Sequence, residues 1–217
     1  MRDLPMNRFT GHDLDCVRGE RLVFTGLRFE LAQGEALVLV GANGSGKSSL
    51  LRLMAGFLRP ARGDLRWNGA NLSEDPEGHR ARICYVGHLD AVKPVLTVAE
   101  NLGFWAELWG GGLESVGPAL RAFGVDHLAD VPGRFLSAGQ KRRVNLARMA
   151  VSRTAALWLL DEPTTALDRA GIAALGEVLA AHRGRGGMAV VATHSELPLD
   201  GSKLLDLGNF AMAEVSA

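Results

Sequence analysis

Cysteine is scarce in this chain of 217 residues, which holds only Cys16 and Cys84. They stand far apart with no C-x-x-C spacing, so unpaired thiols in a reducing compartment are expected rather than a disulfide or a cysteine-built metal site. An excess of either charge is also missing. Lys plus Arg and Asp plus Glu both total 24, and a net charge of zero gives no support for a nucleic-acid partner. Long apolar runs are lacking too. Ala36 to Val40 and Ala155 to Leu160 fall far short of the roughly 20 residues that a bilayer-crossing helix needs. The first residues pass through Arg2, Asp3, Asn7, Arg8, His12 and Asp13 without an apolar block, so no secretory signal is expected. Work at a membrane would fall to a partner. Repeats and low-complexity tracts are absent, and the length suits one domain with a substantial core.

The residues up to Leu31 alternate loosely, which predicts strands joined by polar turns, as around Arg18-Gly19-Glu20. Ala36 to Val40 is short, apolar and partly β-branched, the pattern of a strand buried on both faces of a parallel sheet. Glycine-rich residues 41–46 follow, then a helix from Lys47 that stops at Gly56. Leu65-Arg66-Trp67 leads into Asn68-Gly69, a hairpin signal, and Ile83 to Val86 is another short strand. From about residue 90 to 154 the character is helical. Thr97-Val98-Ala99-Glu100 has the form of a capping box, and Gly110-Gly111-Gly112 breaks the segment. Leu157 to Leu160 and Met188 to Ala192 are again buried strands. This order predicts an α/β core with a helical insertion.

Gly41-Ala42-Asn43-Gly44-Ser45-Gly46-Lys47-Ser48 fits G-x-x-x-x-G-K-[ST], lies between a predicted strand and helix, and is followed by Ser49. Such glycines let backbone N–H groups curl around phosphates, and the helix start adds partial positive charge. Lys47 would reach the β- and γ-phosphates and Ser48 would ligate Mg²⁺. A chance match in a glycine-rich chain is the bland alternative, and the flanking elements argue against it. Asp161 and Glu162 close the run from Leu157, where carboxylates lie at the C-terminal edge of a parallel sheet. Asp161 can hold Mg²⁺ through its water shell and Glu162 can polarise an attacking water. Alone, acidic residues there often merely cap the next helix, which Pro163-Thr164 would suit. Leu136-Ser137-Ala138-Gly139-Gln140 precedes a second helix whose start is a further anion site. One triphosphate cannot use both starts unless they face each other. The basic cluster Lys141, Arg142, Arg143 and Arg148 is expected to be the solvated face of that helix.

LSAGQ at 136–140 resembles the LSGGQ signature of ABC ATPases, and the remaining marks of that family follow in order. Ala166-Leu167-Asp168 looks like the D-loop, and Thr193-His194 looks like the switch histidine. A lone histidine after a strand is more often structural; the resemblance makes His194 a γ-phosphate sensor. It implies a RecA-like P-loop NTPase core with an antiparallel β-subdomain, over 1–87 and 155–217, and an inserted helical subdomain at 88–154. It also implies that two copies sandwich two ATP molecules head to tail, with the signature of one closing on the nucleotide of the other. Two positions depart from the pattern. Gly87-His88 stands where the Q-loop glutamine is normal, so His88 is the candidate for its Mg²⁺ contact. Arg18 falls near the site of the adenine-stacking aromatic, where a guanidinium plane can stack instead.

A narrower set looks like the haem-exporter ATPases of bacterial cytochrome c maturation. It comprises residues 16–21, Tyr85-Val86-Gly87-His88, Leu96-Thr97 with Glu100-Asn101-Leu102, and residues 136–143. That resemblance implies an ATPase coupled to transport, bound to membrane permease subunits at the cytoplasmic face of the inner membrane, that helps release haem from a periplasmic chaperone. The ATPase of another small-solute transporter stays open by motif. DNA-repair ABC ATPases carry a long coiled coil before the signature, for which the interval from Ser48 to Leu136 leaves no room.

Overall fold

The computed structural model describes residues 7–194 and 197–210; Arg2 and Asp3 of the polar N-terminal stretch lie outside them. The chain opens with strands β1 (Arg8–Arg18) and β2 (Arg21–Ala32), then β3 (Ala36–Val40) and helix α1 (Lys47–Met54). Strands β4 (Arg62–Trp67) and β5 (Ala70–Asn71), helix α2 (Pro76–Ala81) and strand β6 (Ile83–Val86) follow. Helices α3 (Val98–Leu108), α4 (Val116–Ala122) and α5 (Ala138–Ala150) lead to β7 (Leu157–Asp161), α6 (Arg169–Gly184), β8 (Met188–Ala192) and β9 (Lys203–Asp206).

Local chemistry explains the boundaries. Gly19 turns β1 into β2 with φ +62°, and β1 pairs with β2 on one side and β4 on the other, both antiparallel. Asn68 and Gly69 both adopt positive φ, +51° and +86°, as a two-residue hairpin between Trp67 and Ala70 requires. Thr97 accepts from the Glu100 amide while the Glu100 carboxylate accepts from that of Thr97, which starts α3 with the reciprocal cap its sequence foretold. Gly56, at φ +71°, follows the end of α1.

The strands form two sheets. One is β2-β1-β4-β5; the other is a five-stranded parallel sheet in the order β6-β7-β8-β3-β9. Alternation along the parallel strands sends side chains to two cores. Leu37, Leu39, Leu157, Leu159, Met188 and Val190 pack with α1 and the antiparallel sheet. Trp158, Leu160, Ala189 and Val191 pack with α3 to α6. Both cysteines are free and buried, and burial pushes the Cys84 thiol up to about 12, so it is inert at neutral pH. Among the described residues no helix is long and apolar enough to cross a membrane.

One row of the parallel sheet sets where the loops at its C-terminal edge begin. Leu39 of β3 lies level with Ala192 of β8, and Ala192 lies level with Asp161 of β7. The loops after these three neighbouring strands therefore leave the sheet side by side. Helices α2 and α6 and the edge strand β9 are additions that the sequence pattern does not announce. Asp75 and Asp168 are the caps that mark the two helix starts, each accepting from a backbone amide three residues on.

Candidate functional site

The loop after β3 wraps the start of α1 without a side-chain cap. Gly46 takes the N-cap place at φ +102°, and a Cβ there would stand 2.6 Å from Val23 Cγ1. The first amides of α1 are thus left without a side chain of their own, as an anion site requires. Lys47 is buried, and its Nζ donates to the carbonyls of Gly41 at 2.8 Å and Ala42 at 3.2 Å. The Ser48 hydroxyl donates to Asp161 Oδ1 at 2.9 Å, which ties α1 to the end of β7. A hydroxyl beside a carboxylate is an all-oxygen donor pair that fits Mg²⁺, which usually takes one or two protein oxygens and fills its shell with water and phosphate. No cluster of three His, Cys, Asp or Glu groups able to hold a metal occurs among the described residues.

Glu162 follows Asp161 and bends sharply. Its φ is +46°, a left-handed backbone that costs a non-glycine residue roughly 1–3 kcal/mol and persists only where its surroundings hold it. Its amide donates to Ala192 O at 2.8 Å, and its carboxylate accepts from the His194 amide at 3.4 Å. The His194 ring Nε2 lies 3.4 Å from the other carboxylate oxygen. Beside these groups opens a cleft of about 430 Å³, lined by Asn43, Gly44, Gly46, Lys47, Ser48 and Ser49 with Glu162 and His194. Arg18, Arg21 and Val23 from the β1–β2 end of the antiparallel sheet line it as well.

Leu136 to Gln140 sits elsewhere. Ser137 caps α5: its Oγ accepts from the Gln140 amide at 3.3 Å, and Gln140 Oε1 accepts from the Ser137 amide at 2.9 Å. A Cβ at Gly139 would meet Ala166 O at 3.0 Å, so the start of α5 lies close against the loop before α6. Ala166 is itself left-handed at φ +63°. Asp168 caps α6 by accepting from the Gly171 amide at 2.8 Å and pairs with Arg143; those bonds hold its carboxyl below the usual range. None of Leu136 to Gln140 lines the cleft beside Lys47. His88 is exposed and lies in an adjoining pocket with Arg52, Tyr85, Arg148 and Asp161, not in the cleft itself.

The basic cluster corrects the sequence reading. Arg142 and Arg148 are buried, at 2 % and 6 % exposure, and are not on a solvated face. The Arg142 guanidinium donates to the carbonyls of Asp161 at 3.2 Å, Glu162 at 2.6 Å and Pro163 at 3.2 Å. It also donates to Gly87 O at 3.1 Å and Asp90 Oδ1 at 3.2 Å. Arg148 donates to Tyr85 O at 2.6 Å, and its guanidinium lies over the Trp105 ring, 5.0 Å from the centroid. The Arg142 charge can stay buried because its donors are met in this way, whereas Arg148 Nε is buried without a hydrogen-bond partner. The spacing Arg142, Asn145, Arg148 at i, i+3, i+6 is a legible sign of one helix face, and Asn145 also bonds Asp90.

The chain is similar to known proteins over most of its length. The ABC transporter family profile matches residues 24–165. The cytochrome c biogenesis ATP-binding export protein CcmA of Rhodospirillum rubrum is 59 % identical over 94 % of this chain and 87 % of its own length. The protein of the same description from Paramagnetospirillum magneticum is 58 % identical, over 95 % and 96 %. Among solved structures, an ATP-binding subunit of an ABC transporter superposes with TM-score 0.77 at 27 % identity, covering 86 % of this chain and 79 % of that one. The ADP conformation of MJ1267, an ATP-binding cassette of an ABC transporter, superposes with TM-score 0.74 at 20 % identity, over 88 % and 82 %.

Proposed function

The chain belongs to the ABC transporter family and within it to the CcmA cytochrome c biogenesis ATP-binding export proteins, and from that premise we propose how its residues use ATP and to what end. It binds ATP and hydrolyses it in service of transport. The single observation that supports the assignment of roles is the Ser48–Asp161 bond, which puts the phosphate loop and the β7 carboxylates in one place. The residues 41–49 hold the triphosphate. Lys47 exchanges its two loop carbonyls for β- and γ-phosphate oxygens, and the open amides of α1 face the same charge. Ser48 and Asp161 would hold Mg²⁺, with His88 reaching from the adjoining pocket, and a bound ion would supply positive charge beside the β- and γ-phosphates.

Glu162 accepts a proton from the attacking water as its oxygen bonds to the γ-phosphorus, and the bond to the ADP oxygen breaks in line. His194, beside that carboxylate, senses the γ-phosphate. Arg18 stacks its guanidinium on the base. Ser137 and Gly139 are outside their own chain's cleft, which supports a head-to-tail homodimer in which each signature meets the other chain's nucleotide, with Asp168 at the junction. In this reading residues 88–154 form the helical lobe of a single cassette. Membrane permease subunits bind the pair at the cytoplasmic face of the inner membrane, and no nucleic acid is involved.

The task that best fits the relatives is release of haem from a periplasmic chaperone during cytochrome c maturation. Lys47→Ala in the parent cell should abolish haem-stained c-type cytochromes while haem accumulates on the chaperone. Normal c-type cytochromes in that strain would reject the haem task and leave the ATPase standing.

A further inference from the structure

Buried arginine on the helix that begins with Ser137 has no place among the groups that meet phosphate, yet its bonds converge on them. Five acceptors meet the Arg142 guanidinium, and they come from two segments. Three are the successive carbonyls of Asp161, Glu162 and Pro163; the others are Gly87 O and the Asp90 carboxylate. The shortest, at 2.6 Å, goes to the carbonyl of Glu162, the residue whose backbone is left-handed at φ +46°. The Thr165 amide reaches the same carbonyl at 3.3 Å, so the Arg142 bond is the tighter hold on this peptide's oxygen. Asn145, one turn along α5, bonds the Ala91 amide and Asp90 and fixes the far end of the 87–91 segment.

We propose that Arg142 is a positioning residue for hydrolysis, clamping the Glu162 peptide so that its carboxylate meets the attacking water and tying that peptide to the helix that bears the chain's own signature. The physical logic is that a side chain hung from a strained peptide is only as well placed as that peptide is held. A planar fork with several donors can fix three consecutive carbonyls where an ammonium cannot. The consequence is that the start of α5 and Glu162 move as one body. Displacement of Ser137 by a partner's nucleotide is then felt at Glu162 in the same chain. Arg142 touches no reacting atom, so it acts on turnover and not on affinity.

This inference rests on the roles proposed for Glu162 and Ser137, and its test separates the two. In the full chain, Arg142→Lys, Arg142→Gln and Asp90→Asn are compared with Leu146→Ala, which removes a buried α5 side chain that makes no polar contact. Turnover, KM and the Kd for Mg-bound trinitrophenyl-ATP are measured below each variant's Tm. Arg142→Gln should lower kcat at least tenfold with KM and Kd within threefold. Arg142→Lys should recover part of that loss, and Asp90→Asn should lose least. Leu146→Ala should lose Tm but keep kcat. Unchanged kcat in both Arg142 variants overturns the proposal, as does a kcat loss that merely follows Tm along with Leu146→Ala. If Arg142→Gln fails to fold, unchanged kcat in Arg142→Lys and Asp90→Asn overturns it equally. Loss of activity in wild type itself, or full activity of Glu162→Gln, would instead strike the reading of the site.

Discussion

Helices α1 and α5 carry the two starts proposed to meet phosphate, and they begin differently. At α1 the N-cap is a left-handed glycine with no side-chain acceptor, so the helix offers its first amides outward. At α5 Ser137 and Gln140 satisfy one another's amides within the chain. The first start is open and its ligand comes from solution. The second is closed by its own residues, and a phosphate must displace a cap worth about 1 kcal/mol to reach it. In the proposed head-to-tail pair that difference would order the events: nucleotide enters at α1, and α5 engages only when a second chain presents a phosphate strongly enough to undo the cap.

Glu162→Gln offers the sharpest view of the contrast. The amide keeps the shape but cannot take the proton, so turnover should fall by about a thousandfold or more with ATP still bound. Trapped nucleotide then holds both helix starts on phosphate, and gel filtration with Mg-ATP should move the chain from monomer to dimer. Persistence as monomer would break the link between the two starts. Lys47→Ala should act on the open start alone. Losing a charge-assisted bond of about 1.5–3 kcal/mol should weaken ATP affinity of the isolated chain roughly 10- to 150-fold by equilibrium titration. Ser137→Ala should act on the closed start alone: ATP affinity of the isolated chain unchanged, stability lower by about 1 kcal/mol, and turnover down by about tenfold. A matching loss of affinity in that variant would mean that α5 meets nucleotide within one chain, and the ordering would fail.

Much of this contrast is legible in the residues alone, because each start is a short contiguous string. Gly46-Lys47-Ser48, Asp161-Glu162 and Ser137 with Gln140 declare themselves through local chemistry that neighbouring residues supply. The features that sequence does not reveal depend on distant partners. Arg142 and Arg148 look like surface charge until carbonyls of 85, 87 and 161–163 arrive from other elements to satisfy them. Helix α6 is hidden for a related reason: Asp168 reads as a loop residue, while its carboxylate also caps the helix. Strand β9 is four residues long and mostly exposed, and its place is set only by pairing with β3. The position of His88 in a pocket that Asp161 also lines, outside the cleft, likewise comes from the fold of the 87–91 segment and not from its spacing in sequence.

The level row of Leu39, Ala192 and Asp161 makes the parallel sheet a ruler for the groups beyond it. Lys47's loop, His194 and Glu162 each leave from a strand that must end at the same height. A strand advances about 3.3 Å per residue and alternates its faces, so losing or gaining one residue inside β3, β7 or β8 would shift one group by about that distance and turn its strand inside out. Insertions and deletions in this lineage should therefore fall outside those three strands, in segments such as the β1–β2 turn or residues 110–115, where length can change without altering the height at which the loops depart.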